Sequence, residues 1–361
     1  MRLLALVLWV LPCLSEARAD AGEEGGAAEV EADPPLLAPV EVAPVEEAPL
    51  QAGPPEAAPP SLEQVWAAMP PQELLQAAID RRALGDVQGA RQRLLVLDAG
   101  GALPELSLYH LAVCDEIDED YIAALAGYAT VVDAWPDTDL ADDARFRRAI
   151  VLEDLGEHQD AVREIRELQR RGSWEERDRW SMELLRGAAE VDAGRLGRGA
   201  RRIDRVMEAL EGGEELTWAR ARARMAITRA LLAQAADTGI VNDRRARRRL
   251  VARVALLDQA MDQVIAIGRL GEPEYALEGL MAMGDAYLAL HDDLLAAPPP
   301  PGQVAAQREL FEQQLRDQVG VLQVKAWRFY DEGVALAVRV RWQGHAAELL
   351  KARRDALDVQ G

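Results

Sequence analysis

Pairs of alanines spaced twelve residues apart recur through the middle of the chain. The second members of successive pairs follow one another at steps of 34, 37 and 39 residues. A recurrence at this period is typical of repeat proteins, in which each unit is one supersecondary element that buries its apolar face against its neighbours. The four pairs are Ala78/Ala90, Ala112/Ala124, Ala149/Ala161 and Ala188/Ala200.

The segment 105–136 shows the pattern within one unit. Leu108, Leu111 and Ala112 share one face of a first helix. The second helix is predicted to end at Trp135-Pro136, because proline cannot continue a helix. The apolar residues before this stop keep the i, i+3, i+4, i+7 spacing of an amphipathic helix: Tyr121, Ala124, Leu125, Tyr128 and Val131.

These residues resemble the tetratricopeptide repeat (TPR) family, whose unit is two helices joined by a tight turn. Ala112 and Ala124 match the small residues at its helix crossing, Tyr121 and Tyr128 its aromatic packing, and Pro136 its closing proline. The resemblance implies an all-α fold, a right-handed α-solenoid of stacked helix pairs. It also implies protein recognition in a concave groove lined by the first helix of each unit, with no cofactor.

Composition agrees with a helical chain and limits the partners. Aromatic residues make up 5% of the 361 residues, and runs of Val, Ile and Thr that favour strands are scarce. The net charge of −21 opposes nucleic acid as a partner, because phosphate binding requires a concentrated basic surface. A protein partner is therefore expected.

The first 19 residues predict a secretory signal peptide. Met1 and Arg2 precede the apolar run Leu3–Leu11, and Ala17-Arg18-Ala19 provides a small-x-small cleavage site. Nine apolar residues are too few to span a bilayer. Export to the periplasm is expected. In the alternative, lipidation of Cys13 would tether the chain to the outer membrane, although Pro12 stands where lipoprotein signals usually carry a small residue.

Residues 20–64 predict a disordered acidic linker. The segment contains eleven acidic residues, no basic ones and nine prolines. Such a composition buries too little apolar surface to offset the entropy of ordering it. The alternative function for this segment is an acidic recognition tail.

Regular TPR-like repeats are expected over residues 65–212. Gly85 and Gly156 fall between the two helices of their units, where glycine can adopt the left-handed backbone angles that end a helix. Irregular TPR-like repeats are expected over 213–361, for a total of six to seven helix pairs.

Within this second region, Trp218–Ala235 predicts one long helix, and Leu280–Tyr287 resembles the first helix of a TPR unit. A proline-rich loop at 297–303 separates that helix from its partner, which is expected to begin near Arg308 and to carry Ala326, Tyr330 and Ala337.

If the alanine pairs set the register, six side chains project into the groove. Aromatic and methionine side chains would anchor a partner there, and carboxylates would select a basic or amide-rich one. In the alternative, Tyr109 and Phe146 only fill gaps between units. The six predicted groove residues are Tyr109, Glu116, Phe146, Glu153, Met182 and Asp192.

Searches for chemistry give no convincing active site. His110 and Cys114 share a helix face, as a base and a nucleophile might, but no orienting third group or oxyanion-forming turn accompanies them. The four histidines show no metal-ligand spacing, and the acidic runs lack the glycine of a calcium loop. Neither catalysis nor a metal is predicted.

One basic cluster stands out in this acidic chain, at Arg244, Arg245, Arg248 and Arg249. A solvated helix end is the simpler interpretation. The alternative is a dock for an acidic partner or for the chain's own linker.

The expected function is a non-enzymatic scaffold or adaptor in the bacterial cell envelope. The alternative is an outer-membrane-anchored lipoprotein that serves assembly, cell-wall coordination or gliding machinery. An unrecognised enzyme is the third alternative.

Overall fold

The computed structural model describes residues 61–172, 174–210, 213, 215–240, 245–299, 304–342 and 344–357. Within these ranges every helix or strand assigned is an α-helix. The fold is therefore an all-α solenoid, as the sequence predicts. The predicted signal peptide, Cys13 and residues 20–60 of the predicted linker lie outside the described residues.

Fourteen helices follow one another along the described chain, and from the second onward each packs against its neighbours in sequence. They are α1 (Leu62–Ala67), α2 (Pro71–Ala83), α3 (Val87–Ala99), α4 (Pro104–Ile117), α5 (Tyr121–Ala134), α6 (Asp139–Asp154), α7 (His158–Arg171), α8 (Glu176–Asp192), α9 (Leu196–Ala209), α10 (Thr217–Asp237), α11 (Ala246–Gly268), α12 (Pro273–Ala296), α13 (Ala305–Arg339) and α14 (His345–Ala356).

Six helix pairs form the repeat units. Units 1 to 6 are α2/α3, α4/α5, α6/α7, α8/α9, α10/α11 and α12/α13, and α14 packs on the end of unit 6. The short helix α1 precedes them and packs on α3. It begins after Ser61, whose side chain accepts from the backbone N–H of Gln64 in a capping box. Residues 62–64, the last three of the predicted linker, are therefore helical.

Small residues at the helix crossings set the register of the first three units. The alanines of the pairs 78/90, 112/124 and 149/161 are all at most 1% exposed. At the crossing in unit 2, a Cβ added to Gly127 would lie 2.7 Å from the Ala112 Cβ. The two helices approach so closely that only glycine fits there.

The fourth unit is shifted by one residue from the predicted register. Its close crossing is at Gly187 and Gly199, which are again twelve apart, and not at Ala188 and Ala200. A Cβ on Gly199 would lie 2.9 Å from the backbone nitrogen of Val191, and one on Gly187 would lie 2.6 Å from Cγ1 of Ile203. A shift of one residue turns each helix face by about 100°.

The predicted turn glycines take the expected conformation. Gly85 has φ +82° and Gly156 has φ +79°, so both lie in the left-handed region. Each ends the first helix of its unit and lets the chain reverse.

The last unit is longer than the sequence pattern suggests. Helix α13 runs unbroken for 35 residues, so its expected start near Arg308 and the stripe of Ala326, Tyr330 and Ala337 belong to one helix. The proline-rich segment is flanked by the end of α12 and the start of α13, and residues 300–303 lie outside the described residues. None of the described helices is both long and apolar enough to cross a bilayer.

Candidate partner-binding surface

The first helices of successive units, together with His158 at the start of α7 and Glu272 just before α12, contribute a set of charged side chains that we call the acidic surface. Ion pairs and mutual electrostatic effects connect its members across units 3 to 6. Its residues are Glu153, Asp154, His158, Asp192, Arg222, Arg229, Glu272, Glu274 and Glu278.

Arg222 is the buried cation that holds the middle of this surface together. Its guanidinium donates to Asp154 Oδ1 at 2.6 Å and to the carbonyl oxygen of Ile150 at 3.3 Å. It also donates to the hydroxyl of Tyr275 at 3.4 Å. This one side chain of unit 5 therefore contacts unit 3 on one side and unit 6 on the other. The first helices of these units lie close enough together for one arginine to bridge them.

Charges of the later units also act on a residue of unit 2. Burial is the main cause that raises the pKa of Tyr121 on α5, and the nearby charges of Asp154 and Glu274 raise it as well. Glu274 is on α12, four units later. Asp154 of unit 3 and Glu274 of unit 6 are therefore both near enough to Tyr121 of unit 2 to act on it electrostatically.

Arg229 bridges units 4, 5 and 6 in a more open position. Its side chain is 42% exposed and pairs with Asp192 at 2.8 Å and with Glu278 at 3.0 Å. Because solvent screens such pairs, they orient the side chains more than they stabilise the fold.

Glu153, His158 and Asp192 converge at the junction of units 3 and 4. His158 Nδ1 lies 3.0 Å from Glu153 Oε1, and the Glu153 side chain is 3% exposed. Burial raises the pKa of Glu153 to about 7; the bond with His158 opposes this rise and the charge of Asp192 adds to it. This carboxyl therefore holds its proton up to neutral pH.

The same three residues each offer one ligand atom within a 4.8 Å cluster, as a metal site would require. However, the Arg229 guanidinium already pairs with Asp192, and its charge repels a cation. The geometry therefore supports a hydrogen-bonded polar cluster rather than a metal centre.

The surface carries more negative charge than its cations neutralise. Its six carboxyl groups face two guanidinium groups, so with His158 neutral its formal charge is −3 while Glu153 is protonated and −4 once Glu153 ionises. Burial raises the pKa of Glu274, and the charges of Glu278 and Asp154 raise it further while Arg222 lowers it. A cationic ligand would relieve this repulsion.

The structure places five of the six predicted groove residues in two groups. Glu153 and Asp192 come together on the acidic surface. Tyr109 and Met182 lie in the core, with exposures of 8% and 2%, and Phe146 packs against the same cluster as Met182. For Tyr109 and Phe146 this burial favours the alternative of gap filling. Met182 belongs to the core as well, so it does not line a groove.

Glu116, the sixth predicted groove residue, is already bonded within the fold. It accepts from the Tyr128 hydroxyl at 2.5 Å and from Arg147 at 3.1 Å. Arg147 also donates to the Tyr109 hydroxyl at 3.0 Å. These bonds join units 2 and 3, so Glu116 has a structural role in addition to any contact with a partner.

The pair His110 and Cys114 lacks the arrangement of a nucleophile and its base. The Cys114 sulfur is buried, and burial raises the pKa of its thiol. His110 Nδ1 lies 3.1 Å from Arg82 Nη1, and burial together with the charges of Arg82 and Arg147 lowers the pKa of His110 to about 4. An uncharged thiol in the core is ordinary packing.

The predicted basic patch is at the start of α11. Arg245 and Arg248 are exposed, Arg249 is partly buried, and Arg244 lies outside the described residues. Arg253, from the same run, is 2% exposed and pairs with Asp293 at 2.5 Å. That arginine joins the core and does not extend the patch.

Sequence reasoning missed the arginines that organise the acidic surface. Arg222 and Arg229 lie in an alanine-rich helix in which nine other residues are buried, and this placement was the available signal. Their partners are 37 to 72 residues away in sequence, so helical periodicity could not identify them.

No protein-family model matches the chain, and no curated protein does. A tetratricopeptide repeat protein from Parabacteroides merdae matches with 15% identity and a TM-score of 0.40, over 79% of this chain and 97% of that one. Yeast Tom70 matches with 11% identity and a TM-score of 0.26, over 79% of this chain and 68% of Tom70. The TPR-like register itself rests on the buried small residues at the helix crossings.

Proposed function

We propose that this chain is a non-enzymatic protein-binding scaffold of the bacterial cell envelope. Its acidic surface would bind an extended peptide or a partner helix that carries basic side chains. The observation that carries the proposal is the uncompensated charge of that surface, where the pKa values of both Glu153 and Glu274 are raised.

A cationic partner fits this surface for an electrostatic reason. Lysine or arginine side chains placed beside Glu274 and Glu278 would replace repulsion between carboxylates with attraction, and the partly enclosed site would screen that attraction less than open water does. Arg222 and Arg229 orient the carboxylates but do not neutralise all of the negative charge. Binding should therefore weaken as salt concentration rises.

Crosslinking tests where a partner binds. A photo-crosslinking residue at Glu274, on the acidic surface, should yield a protein adduct in cells. The same residue at Gln313, exposed on α13, serves as the control. Equal adducts at both positions, or no protein adduct from Glu274, would contradict the proposed surface.

Charge reversal tests the chemistry of recognition. We expect Glu274→Lys to weaken binding of the captured partner at least about tenfold, because one attraction becomes a repulsion. Glu312→Lys on α13 makes the same charge change on an exposed helix and should leave binding unchanged. If the two variants weaken binding equally, net charge rather than this surface controls the interaction.

The location in the envelope rests on the N-terminal segment of the sequence. Mass spectrometry of the mature protein should find a chain that begins at Asp20. A lipidated N-terminus at Cys13 would instead favour the outer-membrane lipoprotein.

A further inference from the structure

A second charged feature lies between α7 and the first helices on either side of it. It is a cleft of about 670 Å³ at the junction of units 3 and 4. Five arginines line it, and we call it the arginine cleft: Arg148, Arg163, Arg166, Arg170 and Arg186. Three carboxylates share the lining, so it carries two more positive than negative charges. This excess is unusual in a chain whose net charge is −21.

Glu190, at the base of this region, is one carboxylate shared by four arginines. It is fully buried, and its oxygens lie 3.3 to 3.6 Å from nitrogen atoms of Arg166, Arg186, Arg198 and Arg202. Burial alone would raise its pKa, but Arg202 and the other arginines hold the pKa below its usual value. One negative charge cannot neutralise four guanidinium groups, even though Arg202 has a second partner in Glu183.

Hydrogen bonding in the cleft is also incomplete. The Nε–H groups of Arg148, Arg166 and Arg186 are buried and have no hydrogen-bond acceptor among the described residues. For Arg186, the nearest carboxylate oxygen is at 3.4 Å and poorly aligned. Buried donors without an acceptor are costly, so these three Nε–H groups leave hydrogen-bonding capacity unmet beside the cleft.

We propose that the arginine cleft binds a multivalent phosphate-type oxyanion. Guanidinium groups are planar and donate in pairs, which matches the oxygens of a phosphate group. Such a ligand would supply acceptors and negative charge where both are lacking. Helices α6, α7 and α8 contribute to both the cleft and the acidic surface, but the two share no residue, so the two binding proposals can be tested separately.

Repulsion among the arginines supports the same conclusion. Burial lowers the pKa of Arg186, and the charges of Arg202 and Arg166 lower it further, although Glu190 and Glu183 oppose this. A bound dianion would offset that repulsion, so the ligand should stabilise the folded protein.

Calorimetric titration of the full chain with pyrophosphate at constant ionic strength tests the proposal. We expect saturable binding and a rise in Tm. Arg166→Gln with Arg170→Gln should reduce the affinity at least about tenfold, since both side chains reach the cleft and are partly or fully exposed. Circular dichroism without ligand should show that this double variant folds. Arg248→Gln, on the exposed start of α11, is the matched control and should bind normally.

Two further ligands distinguish the source of the phosphate. Cosedimentation with phosphatidylglycerol vesicles, but not with phosphatidylcholine vesicles, and its loss in the double variant would assign the cleft to a lipid headgroup. Binding of pyrophosphate without vesicle binding would assign it to a soluble phosphate.

The remaining outcomes overturn the proposal. These are an absence of binding to both pyrophosphate and vesicles, or an equal loss of affinity in Arg248→Gln. Binding of a synthetic peptide of residues 20–60 without binding of phosphate would also overturn it, in favour of an acidic polypeptide.

Discussion

The ring of Tyr330 occupies the space that a side chain at Gly284 would need. A Cβ built on Gly284 would lie 2.7 Å from Tyr330 Cζ and 2.8 Å from its Cδ1. The Tyr330 hydroxyl also donates to Asp285 Oδ1 at 2.7 Å, and Arg353 of α14 donates to Asp285 Oδ2 at 2.7 Å. Gly284 and Asp285 therefore contact both α13, through Tyr330, and α14, through Arg353.

We expect Gly284→Ala to destabilise the protein by about 1–3 kcal/mol, because the added methyl group must displace a fully buried ring. Gly320→Ala in α13 is the matched control, since no atom lies within 4 Å of its Cβ position. That change should stabilise the helix by up to about 1 kcal/mol. Urea unfolding of both variants measures the difference. Equal effects would show that the ring at position 330 can move freely.

Arg222 and Arg229 should differ in their contribution to stability although they are in the same helix. We expect Arg222→Ala to cost about 2–3 kcal/mol, because it leaves Asp154 and the Tyr275 hydroxyl without their buried partner. Arg229→Ala should cost less than about 1 kcal/mol, since its ion pairs are open to solvent. Thermal and urea unfolding provide the measurements, and a larger cost for Arg229→Ala would contradict the proposed central role of Arg222.

Glu153 should make the protein less stable as pH rises through the weakly acidic range. Its pKa is raised from 4.5 to about 7, so the folded state binds this proton more tightly than the unfolded state does. The stability associated with the protonated carboxyl is therefore complete below pH 4.5 and is lost as pH rises toward 7.

Glu153→Gln removes this ionisation and keeps an acceptor for His158. At pH 8 we expect the variant to be more stable than the natural protein by about 2–3 kcal/mol, and below pH 4.5 the two should be similar. Urea unfolding at both pH values tests this. A variant that is less stable at pH 8 would show that the ionised carboxylate stabilises the fold.

His110 should have the opposite pH dependence. Its pKa is lowered from 6.5 to about 4, so its stabilising effect is present above pH 6.5 and is lost as pH falls through 4. An NMR titration of the ring should give a midpoint near 4. Arg82→Gln removes one of the charges that lower this pKa, so the midpoint should rise. An unchanged midpoint would show that burial and the charge of Arg147 lower this pKa without a contribution from Arg82.

Cys114 should be alkylated only when the protein unfolds, because its sulfur is buried and its thiol has a raised pKa. Iodoacetamide labelling followed by mass spectrometry should show slow modification in buffer and rapid modification in urea. Rapid labelling of the folded protein would reopen the question of a reactive thiol at this position.

Much of the fold could be predicted because its determinants are local. Helix periodicity, the turn glycines at 85 and 156, and the alanine pairs of the first three units all act within about 34 residues. The same spacing failed in unit 4, where the glycines at 187 and 199 allow a closer crossing than the neighbouring alanines do. Whether the glycine or the neighbouring alanine lies at the crossing depends on how closely the two helix backbones approach each other. Sequence periodicity gives no information about that distance.

What the sequence by itself determined is a helical repeat chain, its turns and most of its buried faces. Only the tertiary structure decided which charges meet. Arg222 reaches Asp154 across 68 residues, and Glu190 gathers four arginines from three helices. The physical reason is that the spacing of residues along a helix predicts which face a side chain occupies. Which other faces it meets depends on the rotation between successive units, and that rotation is set only in the folded structure.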